Sequence, residues 1–161
     1  MKNDVYVGLG SNLGDKIKYC NDAVEEISRY KGNVIGGRSS FYRTEPWGRE
    51  DQDWFINCVV KLQTPLGVAA LLDFLQNIEI INERIRGDKW FPRTIDLDIL
   101  FFNNEVINRP EIHIPHPLIQ ERKFVLIPLN EICPQMVHPV LNQSVKELLE
   151  KTTDNKEVIK L

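Results

Sequence analysis

Residues 92–102 read PRTIDLDILFF, an apolar run that carries Asp96 and Asp98 two positions apart. In a strand the side-chain period is two, so both aspartates project to one face while Ile95, Leu97 and Ile99 project to the other. The apolar side anchors the strand in a core. The acidic side then faces a site or solvent, with the two carboxylates about 7 Å apart at the usual strand rise.

Working outward from this strand, the chain alternates strand and helix signals. VYVGL (residues 5–9) reads as a strand that breaks at Gly10, Ser11 and Asn12, and Asp15 is placed to cap a helix running to about Tyr30 with Ile17, Ala23, Val24 and Ile27 on one face. Residues 34–42 read as a second strand interrupted by Gly36 and Gly37, a pair that suggests a bulge or bend. TEPWGREDQDW (44–54) holds a proline, a glycine and five charges, so it is read as a mobile surface loop. Residues 55–62 read as a strand, and residues 66–85 as a helix with Leu71, Leu72, Leu75, Ile78 and Ile81 in the buried stripe. After the 92–102 strand, Asn103 and Asn104 predict a tight hairpin turn into Val106 and Ile107. PEIHIPHP (110–117), with three prolines in eight residues, is read as irregular. Helices are expected at about 118–130 and 144–151.

The order β-α-β-β-α-β followed by short appendages predicts an α+β fold of ferredoxin-like type, an antiparallel sheet with helices on one face and C-terminal appendages. At 161 residues and 42% hydrophobic content, a single domain spanning 1–161 is expected. Twenty Lys and Arg against 23 Asp and Glu give a net charge of -3, which argues against bulk nucleic-acid binding. No apolar run approaches the roughly 20 residues of a membrane span, and the N-terminal residues lack a signal-peptide core. Cys20, Cys58 and Cys133 are odd in number and widely spaced, the pattern of reduced structural thiols. A cytoplasmic monomer is the expectation.

Chemistry concentrates around the aspartates. On its own the D-x-D pair is equally compatible with an acidic solvent-facing strand. Its neighbourhood changes the balance: Arg84, Arg86, Lys89 and Arg93 fall within one ten-residue span just before it. Paired carboxylates suit Mg²⁺, and guanidinium forks grip phosphate oxygens bidentately, so together they fit a polyphosphate substrate. No G-x-x-x-x-G-K-S/T run occurs, and GLGSNLG lacks both the P-loop lysine and the dinucleotide spacing. Nucleotide handling by neither common glycine loop is the leading reading. A non-catalytic nucleotide-binding module of ferredoxin-like fold and a metal-dependent nuclease are the alternatives, the latter disfavoured by the charge balance.

WFPRTIDLDILFF, with GLGSNLGD near the N-terminus, FYRTEPWG and FINCVV in the middle, and IPHP followed by ERKFVLIPL, resembles the 6-hydroxymethyl-7,8-dihydropterin pyrophosphokinase family across residues 5–149. The resemblance implies transfer of the pyrophosphoryl group of ATP, with two Mg²⁺, to the hydroxymethyl oxygen of 6-hydroxymethyl-7,8-dihydropterin in folate synthesis, with AMP released. It implies Asp96 and Asp98 as ligands of both ions and, with Arg84 and Arg93, as the catalytic set. It places Gln76, Glu79, Arg84, Arg86, Trp90, Arg93, Ile99, His113, His116 and Arg122 around ATP, with Arg86 and Trp90 in a loop that closes over the substrates. Around the pterin it places Thr44, Pro46, Trp47, Phe55, Asn57, Asp96 and Phe124, with Phe55 and Phe124 sandwiching the ring and the Asn57 carboxamide reading its polar edge. The sequence departs from the family's usual residues at Phe91, at Phe55 where a tyrosine is common, and at Glu111 and His113.

Overall fold

The structure is a computed structural model that describes residues 1–47, 51–82 and 94–161. Its elements are β1 (Asn3–Ser11), α1 (Lys16–Arg29), β2 (Val34–Arg38), β3 (Tyr42–Thr44), β4 (Phe55–Thr64), α2 (Val68–Ile81), β5 (Asp96–Phe102), β6 (Ile107–Arg109), β7 (Ile112–Ile114), a 3-10 turn (Ile119–Glu121), α3 (Lys123–Ile132), α4 (Val145–Lys151) and β8 (Val158–Lys160). Six strands form one sheet in the order β5-β1-β4-β3-β8, with β2 also paired to β4. Every pairing in it is antiparallel.

The first face of the sheet is packed by α1 and α2. Asp15 caps α1 by accepting from the Lys18 N–H, and the buried stripe is Cys20, Ala23, Val24 and Ile27. Ile17, expected in that stripe, is exposed, because the i, i+3, i+4, i+7 row that meets the sheet starts one turn later at Cys20. In α2 the stripe is Leu71, Leu75, Ile78 and Glu79; Leu72 is half-buried and Ile81, expected inside, is 70% exposed. The described helix ends at Asn82, whose side chain donates to the Ile78 carbonyl (2.8 Å) and whose own carbonyl accepts from the Thr94 hydroxyl, tying the helix end to the start of β5. The sequence-based extension to residues 83–85 lies outside the described residues.

The helices of the βαββαβ order, α1 and α2, share the first face as expected, and the C-terminal helices α3 and α4 cover part of the second. The cause is a register shift in the β1–β5 pairing: Val7 faces Ile99, but Tyr6 faces Phe101, leaving Leu100 as an extra residue. Past Ile99 the alternation is therefore reset. Phe102 joins the α1/α2 side, whereas Leu100 and Phe101 join Tyr6 and Val59 on the opposite side under α3 and α4. That gives the second face an apolar half of its own, roofed by Val125, Leu126, Leu129, Val145 and Leu148. Burial is its driving force, at about 25 cal/mol per Å² of apolar surface removed from water.

Three further readings are revised, and one strand is added. Residues 34–42 form two strands, with the register shift of β2 falling between Ile35 and Gly37 as the glycine pair suggests, and with Ser39 bridging to Val59 by its own N–H and by its hydroxyl. The hairpin pairs β6 with β7, not β5 with the strand after it, so part of the proline-rich stretch is regular: Ile112 and Ile114 point into the core and His113 points out. The helix expected at 118–130 splits at Arg122, whose extended backbone (φ -127°) separates the 3-10 turn from α3. The short edge strand β8 carries no periodic signal long enough to read.

Candidate active site

The uncovered half of the second face is floored by glycine. Antiparallel pairing places Gly10 directly between Asn57 of β4 and Asp96 of β5, and Gly8 directly between Val59 and Asp98. Residues opposite one another point to the same face, so the two rows read Asn57–Gly10–Asp96 and Val59–Gly8–Asp98. The aspartates and the carboxamide stand two strand spacings apart, about 10 Å, across a strip with no side chains. Gly10 is confined further: a Cβ there would lie 2.6 Å from Asn57 Nδ2.

Above this floor the pocket is closed by Thr44, Trp47 and Phe55 on one side and by Arg122 and Phe124 at the start of α3 on the other. Asn57 is oriented from both ends. Its Oδ1 accepts from the Thr44 hydroxyl (2.6 Å) and its Nδ2 donates to the Leu9 carbonyl (3.3 Å). A carboxamide has two donors and two acceptor positions, so one of each remains for a ligand edge. Arg122 lies 5.6 Å from the Trp47 ring and 5.5 Å from the Phe124 ring, within cation–π range of both. Arg122 Nε and Trp47 Nε1 are buried without a hydrogen-bond partner among the described residues.

Charge is arranged around the same floor. Burial draws the Arg122 guanidinium below its ordinary value, opposed by the charges of Asp98 and Asp96. His116 is held down to about 4, first by burial and then by Arg122, with Asp96 opposing. It is therefore neutral at pH 7. Its Nδ1 accepts from the Leu118 N–H (3.2 Å), so the neutral ring carries its proton on Nε2.

The structure brings together Thr44, Trp47, Phe55, Asn57, Asp96, Asp98, Arg122 and Phe124 in one pocket, with His116 coupled to it through Arg122 and Asp96. Pro46 is buried in the segment leading to Trp47. The nucleotide-side residues are more dispersed. Gln76 is exposed on α2, and His113 is exposed on β7 with Nδ1 2.8 Å from Asn108 Oδ1. Glu79 is 3% exposed and accepts from the Leu97 N–H (2.9 Å), holding the start of β5 against α2. Ile99 lies in the core under α1 and α2, on the face opposite the aspartates. Arg84, Arg86, Trp90 and Arg93, and the departure at Phe91, lie outside the described residues. Sequence reasoning passed over Gly8 and Gly10 as site residues. Their period-two spacing in GLG was the available signal.

Two carboxylates on one side of a glycine floor and an oriented carboxamide on the other line one pocket, with aromatic side chains above them, in a mixed α/β fold with an antiparallel sheet. The family profile described as 7,8-dihydro-6-hydroxymethylpterin-pyrophosphokinase (HPPK) matches residues 6–134, and the chain belongs to that family. Among similar proteins, the 2-amino-4-hydroxy-6-hydroxymethyldihydropteridine pyrophosphokinase of Bacillus subtilis is 44% identical over 136 residues, covering 84% of this chain and 81% of that one. The protein of the same name from Methylorubrum extorquens is 41% identical over 146 residues and covers 91% of each chain. A Plasmodium falciparum HPPK-DHPS crystal structure superposes with a TM-score of 0.78 at 18% identity, over 94% of this chain and 43% of that one. That likeness is one of fold.

Proposed function

We propose that this chain is a single pyrophosphokinase domain that transfers the pyrophosphoryl group of ATP to the hydroxymethyl oxygen of 6-hydroxymethyl-7,8-dihydropterin, giving the pterin diphosphate and AMP for folate synthesis. The observation that carries the reading is the pair of rows Asn57–Gly10–Asp96 and Val59–Gly8–Asp98, which sets a heterocycle reader and a carboxylate pair across one floor. The strand order β5-β1-β4 with β2 and β3 beyond supports a ferredoxin-like βαββαβ framework.

In this reading Phe55 and Phe124 stack on the pterin ring, Asn57 and the backbone of the Thr44–Trp47 segment pair with its edge, and the hydroxymethyl group lies toward Asp96. Arg122 and the Nε2–H of His116 bind phosphate oxygens, joined by Arg84, Arg86 and Arg93, which the family resemblance assigns to the triphosphate. Gln76, Glu79, Ile99 and His113 belong to the nucleotide side of the same resemblance, and Trp90 to the closing loop. Glu79 serves from beneath, through the β5 backbone it holds.

The donor set suits Mg²⁺, which takes one or two carboxylates and completes its shell with phosphate oxygens and water. Asp96 and Asp98, on one face and lining one pocket, would hold the two ions. When bound, these ions supply charge neutralisation and alignment of the phosphate chain for in-line attack. What the protein itself contributes is positioning: the aromatic walls and Asn57 fix the acceptor oxygen, and Arg122 and His116 fix the phosphate chain relative to it.

In this reading the protein is a cytoplasmic monomer acting on these two small substrates; the unbridged cysteines fit a reducing compartment, and the net charge of -3 does not favour nucleic acid. No helix among the described residues is long and apolar enough to cross a membrane. A non-catalytic nucleotide-binding module would have no use for a carboxylate pair facing an oriented carboxamide, and family membership does not favour it. The test is incubation of the protein with ATP, Mg²⁺ and the pterin alcohol. AMP and pterin diphosphate are expected in equal amounts. ADP in place of AMP would sink the assignment, and ATP binding without turnover would restore the binding module.

A further inference from the structure

Residues 152–161 tie two elements of the pocket together. β8 pairs with β3 in the register Tyr42–Lys160, Arg43–Ile159 and Thr44–Val158. The ladder runs on at both ends: Leu161 N–H donates to the Phe41 carbonyl (3.0 Å), and Glu45 N–H donates to the Glu157 carbonyl (3.0 Å). Glu157 N–H returns a bond to the Glu45 carboxylate (2.6 Å). This fixes the backbone two residues before Trp47.

A few residues earlier in the chain the same segment grips α3. Asp154 accepts from the Lys123 N–H through Oδ2 (2.8 Å) and from the Lys156 N–H through Oδ1 (3.0 Å). Lys123 is the first residue of α3, so one of its orphan amides is satisfied from outside the helix. Its neighbours in sequence are Arg122 and Phe124. One short strap therefore sets the backbone of both partners in the Trp47–Arg122 contact, and of the Phe124 ring 5.5 Å from the same guanidinium.

We propose that Asp154 is a positioning residue for the pocket: through the strap it aligns Trp47 and Phe124 on the pterin side with the phosphate-side Arg122 that lies between them, groups contributed by two different elements. The inference rests on the pyrophosphokinase reading and deepens it. Asp154 is not among the residues that line the pocket, and its effect passes through the Trp47–Arg122 contact.

The experiment is a double-mutant cycle with Asp154→Ala and Trp47→Leu in the full chain, reading steady-state kinetics with each substrate and thermal midpoint. Asp154→Ala is expected to lower kcat/KM for the pterin about 10-fold, and Asp154→Asn, which keeps one acceptor oxygen, by less than about 3-fold. In the Trp47→Leu background the effect of Asp154→Ala should shrink to below about 2-fold, while effects on thermal midpoint add. An unchanged kcat/KM, or the same fold-loss in both backgrounds, overturns the proposal. Should Asp154→Ala fail to fold, deletion of residues 157–161 replaces it, with the same non-additivity expected and plain additivity overturning the proposal. Wild-type protein that forms no AMP would overturn the pyrophosphokinase reading itself, and this inference with it. Normal wild-type turnover with a normal Asp154→Ala overturns only the strap.

Discussion

Gly10 illustrates how one missing side chain shapes the pocket. A Cβ there would lie 2.6 Å from Asn57 Nδ2, the end of a side chain already held by Thr44 and Leu9. The carboxamide can swing aside without disturbing the core, so Gly10→Ala should fold normally but misplace the group that reads the heterocycle. We expect KM for the pterin to rise about 10-fold with kcat within about 3-fold, checked by steady-state kinetics. Asp98 behaves in the opposite way. Asp98→Asn keeps the shape and loses the charge, so turnover should fall at least about 100-fold, equivalent to about 2.7 kcal/mol of barrier, with the thermal midpoint little changed. Near-normal turnover in the presence of Mg²⁺ would remove Asp98 from the metal set. Of these residues the aspartates are legible in sequence, because D-x-D in an apolar run implies two faces. The role of Gly10 is not, since it depends on Asn57, 47 positions away, arriving beside it.

Among the elements, β5 and α2 show where periodic reading succeeds and where it stops. Alternation assigns Ile95, Leu97 and Ile99 correctly, then fails at Leu100, because the extra residue in the β1 pairing depends on the partner strand. In α2 the polar residue Glu79 occupies a core position since its carboxylate meets the Leu97 amide of β5. Glu79→Ala would leave that buried N–H without its acceptor. A loss of about 1–3 kcal/mol is expected, read as a lower urea midpoint at unchanged m-value. A midpoint equal to wild type would mean that water or a neighbour replaces the carboxylate. At the opposite face α3 is also held at its far end, where Glu131 accepts from Tyr42 Oη (2.6 Å), Ser40 N–H (2.9 Å) and Ser40 Oγ (2.8 Å). Burial would raise the Glu131 carboxyl, but these bonds and the charge of Lys160 outweigh it and hold it below its ordinary value. The helix that presents Phe124 is thus pinned at both ends.

Over the whole molecule, mild acid should act first through the buried histidines, before carboxylates such as Glu131 that are held below their ordinary value. His116 is lowered to about 4 and His138 is lowered too, each chiefly by burial. Above about pH 6.5 both states leave His116 neutral and it adds no pH dependence. Between about 6.5 and 4 the unfolded chain takes up a proton that the folded chain refuses, so stability falls as pH falls. Thermal midpoints from pH 7 to 4.5 should therefore decline more steeply in wild type than in His116→Gln; parallel curves would contradict the buried neutral ring.

Element order, the two-faced strand at 96–102 and the family resemblance could all be read from the chain, because periodicity and local motifs are properties of neighbouring residues. The distribution of helices over both faces, the β6–β7 pairing, the strap at 152–161 and the glycine floor could not. Each depends on which strand lies beside which and in what register, a choice made by burial of apolar surface across the assembled sheet and not by any single segment. The acidic pair becomes a site only when β1 sets Gly8 and Gly10 beside it and β4 brings Asn57 to the far bank.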